Sequence, residues 1–113
     1  MNNNIDTLAK EINLWANKKG FWDFSLPGLL PDNVLVKSTK IMLVVTELSE
    51  LVEGLRMPVI SQLEGFTNEE EEIADAIIRL LDYSGQYNLR VGEAVLAKMA
   101  FNEGRPHKHN KQF

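Results

Sequence analysis

Apolar residues recur at intervals of three and four positions through most of this chain, and this spacing decides its fold class. In the first segment, about residues 5–18, the spaced residues are Ile5, Leu8, Ile12 and Trp15. Similar segments follow at about residues 33–56, 67–86 and 91–102. Such spacing gathers apolar side chains on one face of a helix. Because no segment cleanly alternates apolar and polar residues, the sequence predicts an all-α protein, a helical bundle.

Residues that start or stop helices separate the four segments. Gly20 ends the first segment, Pro58 stops the second and Gly104 follows the fourth. Thr67 and Glu70 have the spacing of a capping box, in which each side chain accepts a hydrogen bond from the backbone N–H of the other residue. The third helix is therefore predicted to begin directly after Thr67.

The side chains expected to face inward are mostly aliphatic. The apolar stripe of the second helix comprises Ile41, Val44, Val45, Leu48, Leu51, Val52 and Leu55. In the fourth helix Val95 and Met99 are expected inside, and Trp15 is assigned to the core. The loop before the second helix is also rich in apolar residues, namely Phe21, Trp22, Phe24, Leu26, Leu29 and Leu30. We expect this loop to pack against the helices, because its side chains would otherwise contact water.

Composition excludes several classes of protein. The 113 residues fit a single domain, residues 1–113, of which 105–113 form a basic tail. Acidic residues outnumber basic ones by 16 to 12, so no basic stripe for duplex nucleic acid is expected. The chain has no cysteine, its amino terminus lacks a signal-peptide pattern, and its longest aliphatic run is far shorter than the roughly 20 residues that span a bilayer. These features predict a cytoplasmic protein that binds neither duplex nucleic acid nor membrane.

Two pairs of acidic residues are candidates for chemistry, Glu47 with Glu50 and Glu72 with Asp75. Residues three apart lie on one helix face, so each pair presents two carboxylates side by side at the border of an apolar stripe. Like charges at this spacing repel unless a cation lies between them, and Mg²⁺ prefers carboxylate oxygens. Acids at the same spacing also occur on solvated helix faces. The pattern leaves both a divalent-metal site and an ordinary acidic surface open.

Three stretches of the sequence carry a more specific signal. They are ELSELVEGLR at 47–56, EEIADAIIRLLDYSG at 71–85 and KMAFNEGRPHKHNKQF at 98–113. Together they resemble the MazG-like all-α nucleoside triphosphate pyrophosphohydrolases, whose signature is Glu-x-x-Glu, a spacer and Glu-x-x-Asp. The resemblance implies a four-helix-bundle-type MazG-like fold that is completed by dimerisation, in a homodimer or homotetramer.

The same resemblance implies an activity and its residues. The implied reaction is the Mg²⁺-dependent hydrolysis of a nucleoside triphosphate, deoxy or non-canonical, between the α and β phosphates to a monophosphate and pyrophosphate. The implied ligands of Mg²⁺, for which Mn²⁺ can substitute, are Glu47, Glu50, Glu72 and Asp75. Glu47 and Glu50 are the first candidates for the catalytic base. The implied contacts to the triphosphate are Lys98, Asn102 and Arg105.

Aromatic residues of the first loop are candidates for contact with a nucleobase. Phe21 and Trp22 lie beside a helix end and are predicted to form a pocket wall, with Trp22 as a substrate-binding residue. Flat rings of this kind can stack on a purine or a pyrimidine.

Basic residues near the acids and in the tail have alternative roles. Arg79 lies one turn after Asp75 and is expected to balance Asp75 and Asp82 rather than to contact phosphate. His107 and His109 fit either a solvated terminus or a phosphate or subunit contact.

Two further interpretations of the whole chain stay open. In one, the same metal site acts on another nucleotide, either phosphoribosyl-linked or an alarmone. In the other, the chain is a non-enzymatic helical adaptor that dimerises through its apolar stripes, and the acids are solvated.

Overall fold

The structure, a computed structural model, describes residues 4–23 and 30–112. Its helices are α1 (Ile5–Lys18), α2 (Val34–Arg56), α3 (Asn68–Gln86), α4 (Val91–Glu103) and a short 3₁₀ helix (His107–Asn110). No β-strand occurs within these residues, so the predicted all-α class is confirmed. Each α-helix begins and ends within about one residue of its predicted bounds. None of the described helices is both long and apolar enough to cross a bilayer.

Part of the predicted apolar loop lies outside the described residues, namely Phe24, Leu26 and Leu29. The side chain of His109 also lies outside them. The remaining loop residues, Phe21, Trp22 and Leu30, are described. Trp22 is buried, but Phe21 and Leu30 are 52% and 63% exposed, so the predicted packing of this loop is confirmed only at Trp22. Phe21 and Trp22 take part in the site presented below.

Side-chain caps define where α2 and α3 begin. Asn33 accepts a hydrogen bond from the backbone N–H of Leu35 at 2.8 Å. At the start of α3, Thr67 Oγ1 accepts from the N–H of Glu70 at 3.1 Å, and Glu70 Oε1 accepts from the N–H of Thr67 at 2.9 Å. The predicted capping box is confirmed. It stabilises the first turn because these N–H groups have no partner within the helix itself.

Helix α3 lies between α1 and α2 and packs closely against both, whereas α4 packs mainly and less extensively against α1. The contact of α1 with α3 is especially close at Gly85, where an added Cβ would lie 2.5 Å from the backbone oxygen of Ala9. Small residues account for most buried positions of α1 and α3, namely Ala9, Ala16, Ala76 and Ser84 beside Leu81. These close approaches place the polar side chains of neighbouring helices within reach of one another.

Most of the predicted apolar stripe of α2 is exposed, which corrects the expectation from sequence. Val44 is buried, but the exposed fractions run from 39% to 63% for Ile41, Leu48, Val45, Val52 and Leu55. Val95 and Met99 of α4 and Trp15 of α1 are likewise exposed rather than in the core. The reason is that α3 covers one side of α2, while α4 does not pack extensively on the other side.

The molecule is elongated for its length. The radius of gyration is 16.8 Å, whereas a compact chain of this length has a value of about 13 Å. The accessible surface is 8845 Å², against about 6,300 Å² for a compact monomer of this mass. The chain therefore leaves a large apolar surface uncovered by its own helices.

Candidate metal centre

Three of the four predicted acidic residues meet where α2 packs against α3. Glu47 and Glu50 of α2 and Glu72 of α3 each offer one carboxylate oxygen, and these oxygens lie within 4.8 Å of one another. We call these three residues the acidic cluster. The cluster forms because each pair lies on one face of its helix and the two helices are in close contact. Asp75, the fourth predicted acid, lies outside this group but borders the adjoining cavity together with Glu47.

The acidic cluster contains electrostatic repulsion that no described side chain relieves at Glu72. Loss of solvent and the nearby carboxylates of Glu50 and Glu47 raise the pKa of Glu72 to about 7. Its Oε2 atom is buried and has no hydrogen-bond donor among the described residues. Desolvation, followed by the charge of Glu47, also raises the pKa of Asp75. A positive charge at the cluster would favour the ionised form of both groups.

Arg79 provides a cation at one edge of the cluster. Its Nε donates to Glu47 Oε1 at 2.8 Å, and Glu47 is only 7% exposed. The sequence predicts that Arg79 balances Asp75 and Asp82, whereas its ion pair in the structure is with Glu47. Glu47 and Arg79 are 32 positions apart, so the packing of α2 on α3 creates a pair that sequence spacing does not indicate.

A cavity of about 450 Å³ adjoins the cluster. This volume lies within the range of small-molecule sites. Its charged lining comprises Lys40, Glu47, Asp75, Arg79 and Asp82. Its aromatic lining comprises Trp15, Phe21, Trp22 and Tyr83. The cavity thus combines aromatic and charged lining residues, and Glu47 connects it to the acidic cluster.

Trp22 is held firmly in the wall of this cavity. Its Nε1 donates to both carboxylate oxygens of Asp82, at 2.9 and 3.0 Å, and the residue is only 5% exposed. The Tyr87 ring meets it edge to face with a centroid distance of 5.7 Å, and Lys40 Nζ lies 4.3 Å from its ring centroid. Burial lowers the pKa of Lys40. Trp22 therefore lines the cavity and also belongs to the buried core with Ala16 and Val36.

The other aromatic walls agree less well with the sequence analysis. Phe21 lines the cavity as predicted, and Trp15, which is assigned to the core from sequence, lines it as well. The two rings meet edge to face at 5.5 Å, and Trp15 is 46% exposed. The apolar spacing of α1 correctly groups Trp15 with its apolar neighbours, but it does not indicate whether that face meets the core or a cavity.

Sequence reasoning misses a polar network behind Trp22. Asn13 Nδ2 donates to Asp82 Oδ1 and to Gln86 Oε1, both at 2.9 Å. Asp82 thereby joins α1, α3 and the loop that carries Trp22. No local signal identifies this role, because Asp82 lies 60 positions from Trp22 and 69 from Asn13.

The predicted triphosphate contacts lie on α4 and just after it, and they do not line the cavity. Lys98, Asn102 and Arg105 are absent from the lining of the cavity. Lys98 Nζ lies 4.7 Å from the ring centroid of Phe101, and the Arg105 guanidinium lies 5.8 Å from the same centroid. The buried Oδ1 of Asn102 has no hydrogen-bond donor among the described residues. Lys98 and Arg105 thus both lie beside the ring of Phe101.

Comparisons of this chain with protein-family models, with curated proteins and with solved structures give no match.

Proposed function

We propose that this protein hydrolyses nucleoside triphosphates, of deoxy or non-canonical type, between the α and β phosphates, in a reaction that depends on Mg²⁺. The products are a nucleoside monophosphate and pyrophosphate. One observation carries the proposal: the acidic cluster of Glu47, Glu50 and Glu72 adjoins an aromatic cavity large enough for a nucleoside. The resemblance to MazG-like pyrophosphohydrolases supplies the reaction type.

The side chains present fit Mg²⁺. The donors are carboxylate oxygens, which hard divalent cations prefer, and Glu72 has a buried oxygen without a donor. In this proposal Glu47, Glu50 and Glu72 hold the ion, with Asp75 as the fourth ligand, and Mn²⁺ can replace Mg²⁺. Bound Mg²⁺ supplies neutralisation of the phosphate oxygens and activation of water.

Aromatic residues of the cavity and acids of the cluster have separate roles in this proposal, in binding the nucleobase and in accepting a proton. Phe21, which is 52% exposed, offers an aromatic face to the nucleobase. Trp22, the predicted substrate-binding residue, lines the same cavity with its ring fixed by Asp82 and almost fully buried. Glu47 or Glu50 accepts the proton of the attacking water. No covalent intermediate is required, because water attacks phosphorus directly.

The proposal includes a homodimer or homotetramer. The accessible surface of one chain exceeds that of a compact monomer by more than the roughly 800 Å² that each partner contributes to a standard interface. Large apolar side chains on α2 and α4 are exposed. In an assembly, Lys98, Asn102 and Arg105 of one chain would contact the triphosphate held by another chain, which accounts for their absence from the cavity lining within one chain.

The first experiment measures pyrophosphate release from a panel of ribo- and deoxyribonucleoside triphosphates with Mg²⁺. We expect pyrophosphate and a monophosphate as products, and we expect a chelator to abolish the reaction. Release of orthophosphate instead would contradict the proposed bond cleavage. The ranking of substrates in the panel identifies the preferred base and sugar.

A matched pair of variants tests the cluster itself. Glu50→Gln should lower the rate by about 100-fold, because it removes a ligand charge. Glu53→Gln removes the same charge one turn away, where Glu53 makes an exposed ion pair with Arg56, and it should leave the rate unchanged. Equal rates for the two variants would show that the cluster is not the metal site.

Two other outcomes correspond to the alternative functions. If the common triphosphates are not cleaved but Mg²⁺ binds, a phosphoribosyl-linked nucleotide or an alarmone is tested next at the same site. If neither cleavage nor Mg²⁺ binding is detected, the helical adaptor is favoured, since the exposed apolar surface of α2 would support association without catalysis.

A further inference from the structure

Arg79 binds one oxygen of a carboxylate that a bound cation would need. The hydrogen bond from its Nε to Glu47 Oε1 is 2.8 Å long, and Glu47 belongs to the acidic cluster. The Glu47 side chain is 9% exposed, so the carboxylate end of the pair is shielded from water. A divalent cation that takes this carboxylate must therefore displace the guanidinium or share the carboxylate with it.

The position of Arg79 gives it a second possible partner. Its side chain is 40% exposed and lines the aromatic cavity together with Asp75 and Asp82. The guanidinium thus lies at the boundary between the acidic cluster and the space proposed for the nucleotide. Its remaining N–H donors lie on the terminal nitrogens, in the planar arrangement that binds phosphate oxygens in pairs.

We propose that Arg79 is an exchangeable counterion: it pairs with Glu47 while no divalent cation is bound, and it contacts the phosphates of the substrate once a cation has taken Glu47. The inference rests on the proposed function and adds a substrate-positioning residue to it. The exchange keeps Glu47 partnered in both states, which matters because a buried carboxylate without a partner is strongly destabilising. It also releases the Arg79 charge from Glu47, so that it can act on the phosphates, only when the cluster is neutralised.

The first measurement is Mn²⁺ binding in the absence of nucleotide. The electron paramagnetic resonance signal of free Mn²⁺ monitors the titration. Arg79→Gln should bind Mn²⁺ about tenfold more tightly than wild type, because the competing cation is gone. Arg79→Lys keeps a charge and should bind Mn²⁺ much as wild type does. The control is Arg56→Gln, which removes the same charge from the exposed pair with Glu53 and should not change Mn²⁺ affinity.

The second measurement uses tripolyphosphate with Mg²⁺ as a probe that carries the phosphates without a base. Arg79→Gln should bind it about tenfold more weakly than wild type, and Arg79→Lys should also lose affinity because lysine lacks the planar fork. Weaker probe binding together with tighter Mn²⁺ binding is the signature of exchange. A purely structural ion pair would give neither change.

Thermal unfolding distinguishes the loss of the Glu47 partner from a general folding defect. Arg79→Gln should melt lower than wild type in a chelator, and saturating Mn²⁺ should remove most of that difference, since the cation then pairs with Glu47.

A difference that persists at saturating Mn²⁺, or Mn²⁺ affinity no tighter than in Arg56→Gln, overturns the inference. If wild type itself fails to bind Mn²⁺, the proposed function fails instead. If Arg79→Gln does not fold, unchanged probe affinity in Arg79→Lys overturns the exchange.

Discussion

Glu72 is the residue whose ionisation is most clearly altered by its surroundings, with a pKa raised to about 7 from an ordinary value of 4.5. The folded protein therefore retains a proton that the unfolded chain releases between these values. By linkage, the contribution of Glu72 to stability is complete below pH 4.5 and is lost as the pH rises through 7. Above that range the metal-free protein contains an ionised, poorly solvated carboxylate.

This leads to a prediction for the metal-free protein. In a chelator, Glu72→Gln should raise Tm by about 4 °C at pH 8.5 and by much less at pH 5, because the amide cannot ionise. The measurement is thermal unfolding followed by circular dichroism at both pH values. Glu64→Gln, at an exposed position of the connector before α3, is the control and should show no such pH dependence. A gain in Tm that is the same at both pH values would contradict the prediction.

For individual side chains, the sequence indicates only part of the site. The spacing of the acidic pairs predicts the faces on which Glu47, Glu50 and Glu72 lie, and the structure brings these residues together. It gives no indication that Arg79 pairs with Glu47 or that Asp82 fixes Trp22. Both contacts join residues on different elements, so they depend on how those elements pack.

At the scale of elements, the close contact between α1 and α3 depends on the absence of a side chain at Gly85. An added Cβ would lie 2.5 Å from the Ala9 oxygen and 2.8 Å from the Asn13 Cβ. Gly85→Ala should therefore force the helices apart and lower the free energy of unfolding by about 2 kcal/mol. Urea unfolding measures this change.

A second glycine provides the control for this prediction. At Gly104 an added Cβ would meet only the Phe101 oxygen, at 3.7 Å, which is an ordinary contact. Gly104→Ala should change the free energy of unfolding by a few tenths of a kcal/mol. Equal effects at the two positions would mean that the contact between α1 and α3 is not close in solution.

For the molecule as a whole, the exposed side of α2 is an apolar surface that the other described helices do not cover. Ile41, Val45, Leu48, Val52 and Leu55 follow one another at alternating spacings of four and three residues, and all are exposed. This is the spacing of a seam between two packed helices. We call these five residues the α2 seam, and we expect a second copy of the chain to cover it.

The prediction is that wild type elutes at twice or four times its chain mass of 12.8 kDa. Val45→Lys should shift the protein toward the monomer, because it places a charge in the middle of the α2 seam. Size-exclusion chromatography with light scattering measures the mass. Ile60→Lys, at a highly exposed apolar position of the connector, is the control and should leave the mass unchanged. A monomeric wild type would contradict the proposed assembly.

The sequence by itself determines the four α-helices, the capping box of α3 and the helix faces on which the acidic pairs lie. These features depend on interactions between residues a few positions apart, such as the hydrogen bonds between Thr67 and Glu70. The tertiary structure decides which side of α2 is covered, which acids meet, and that Arg79 and Asp82 hold Glu47 and Trp22. Helix α2 is apolar around a broad arc, so periodicity cannot distinguish the side that packs on α3 from the α2 seam. Only the packing of helices distant in sequence makes that choice.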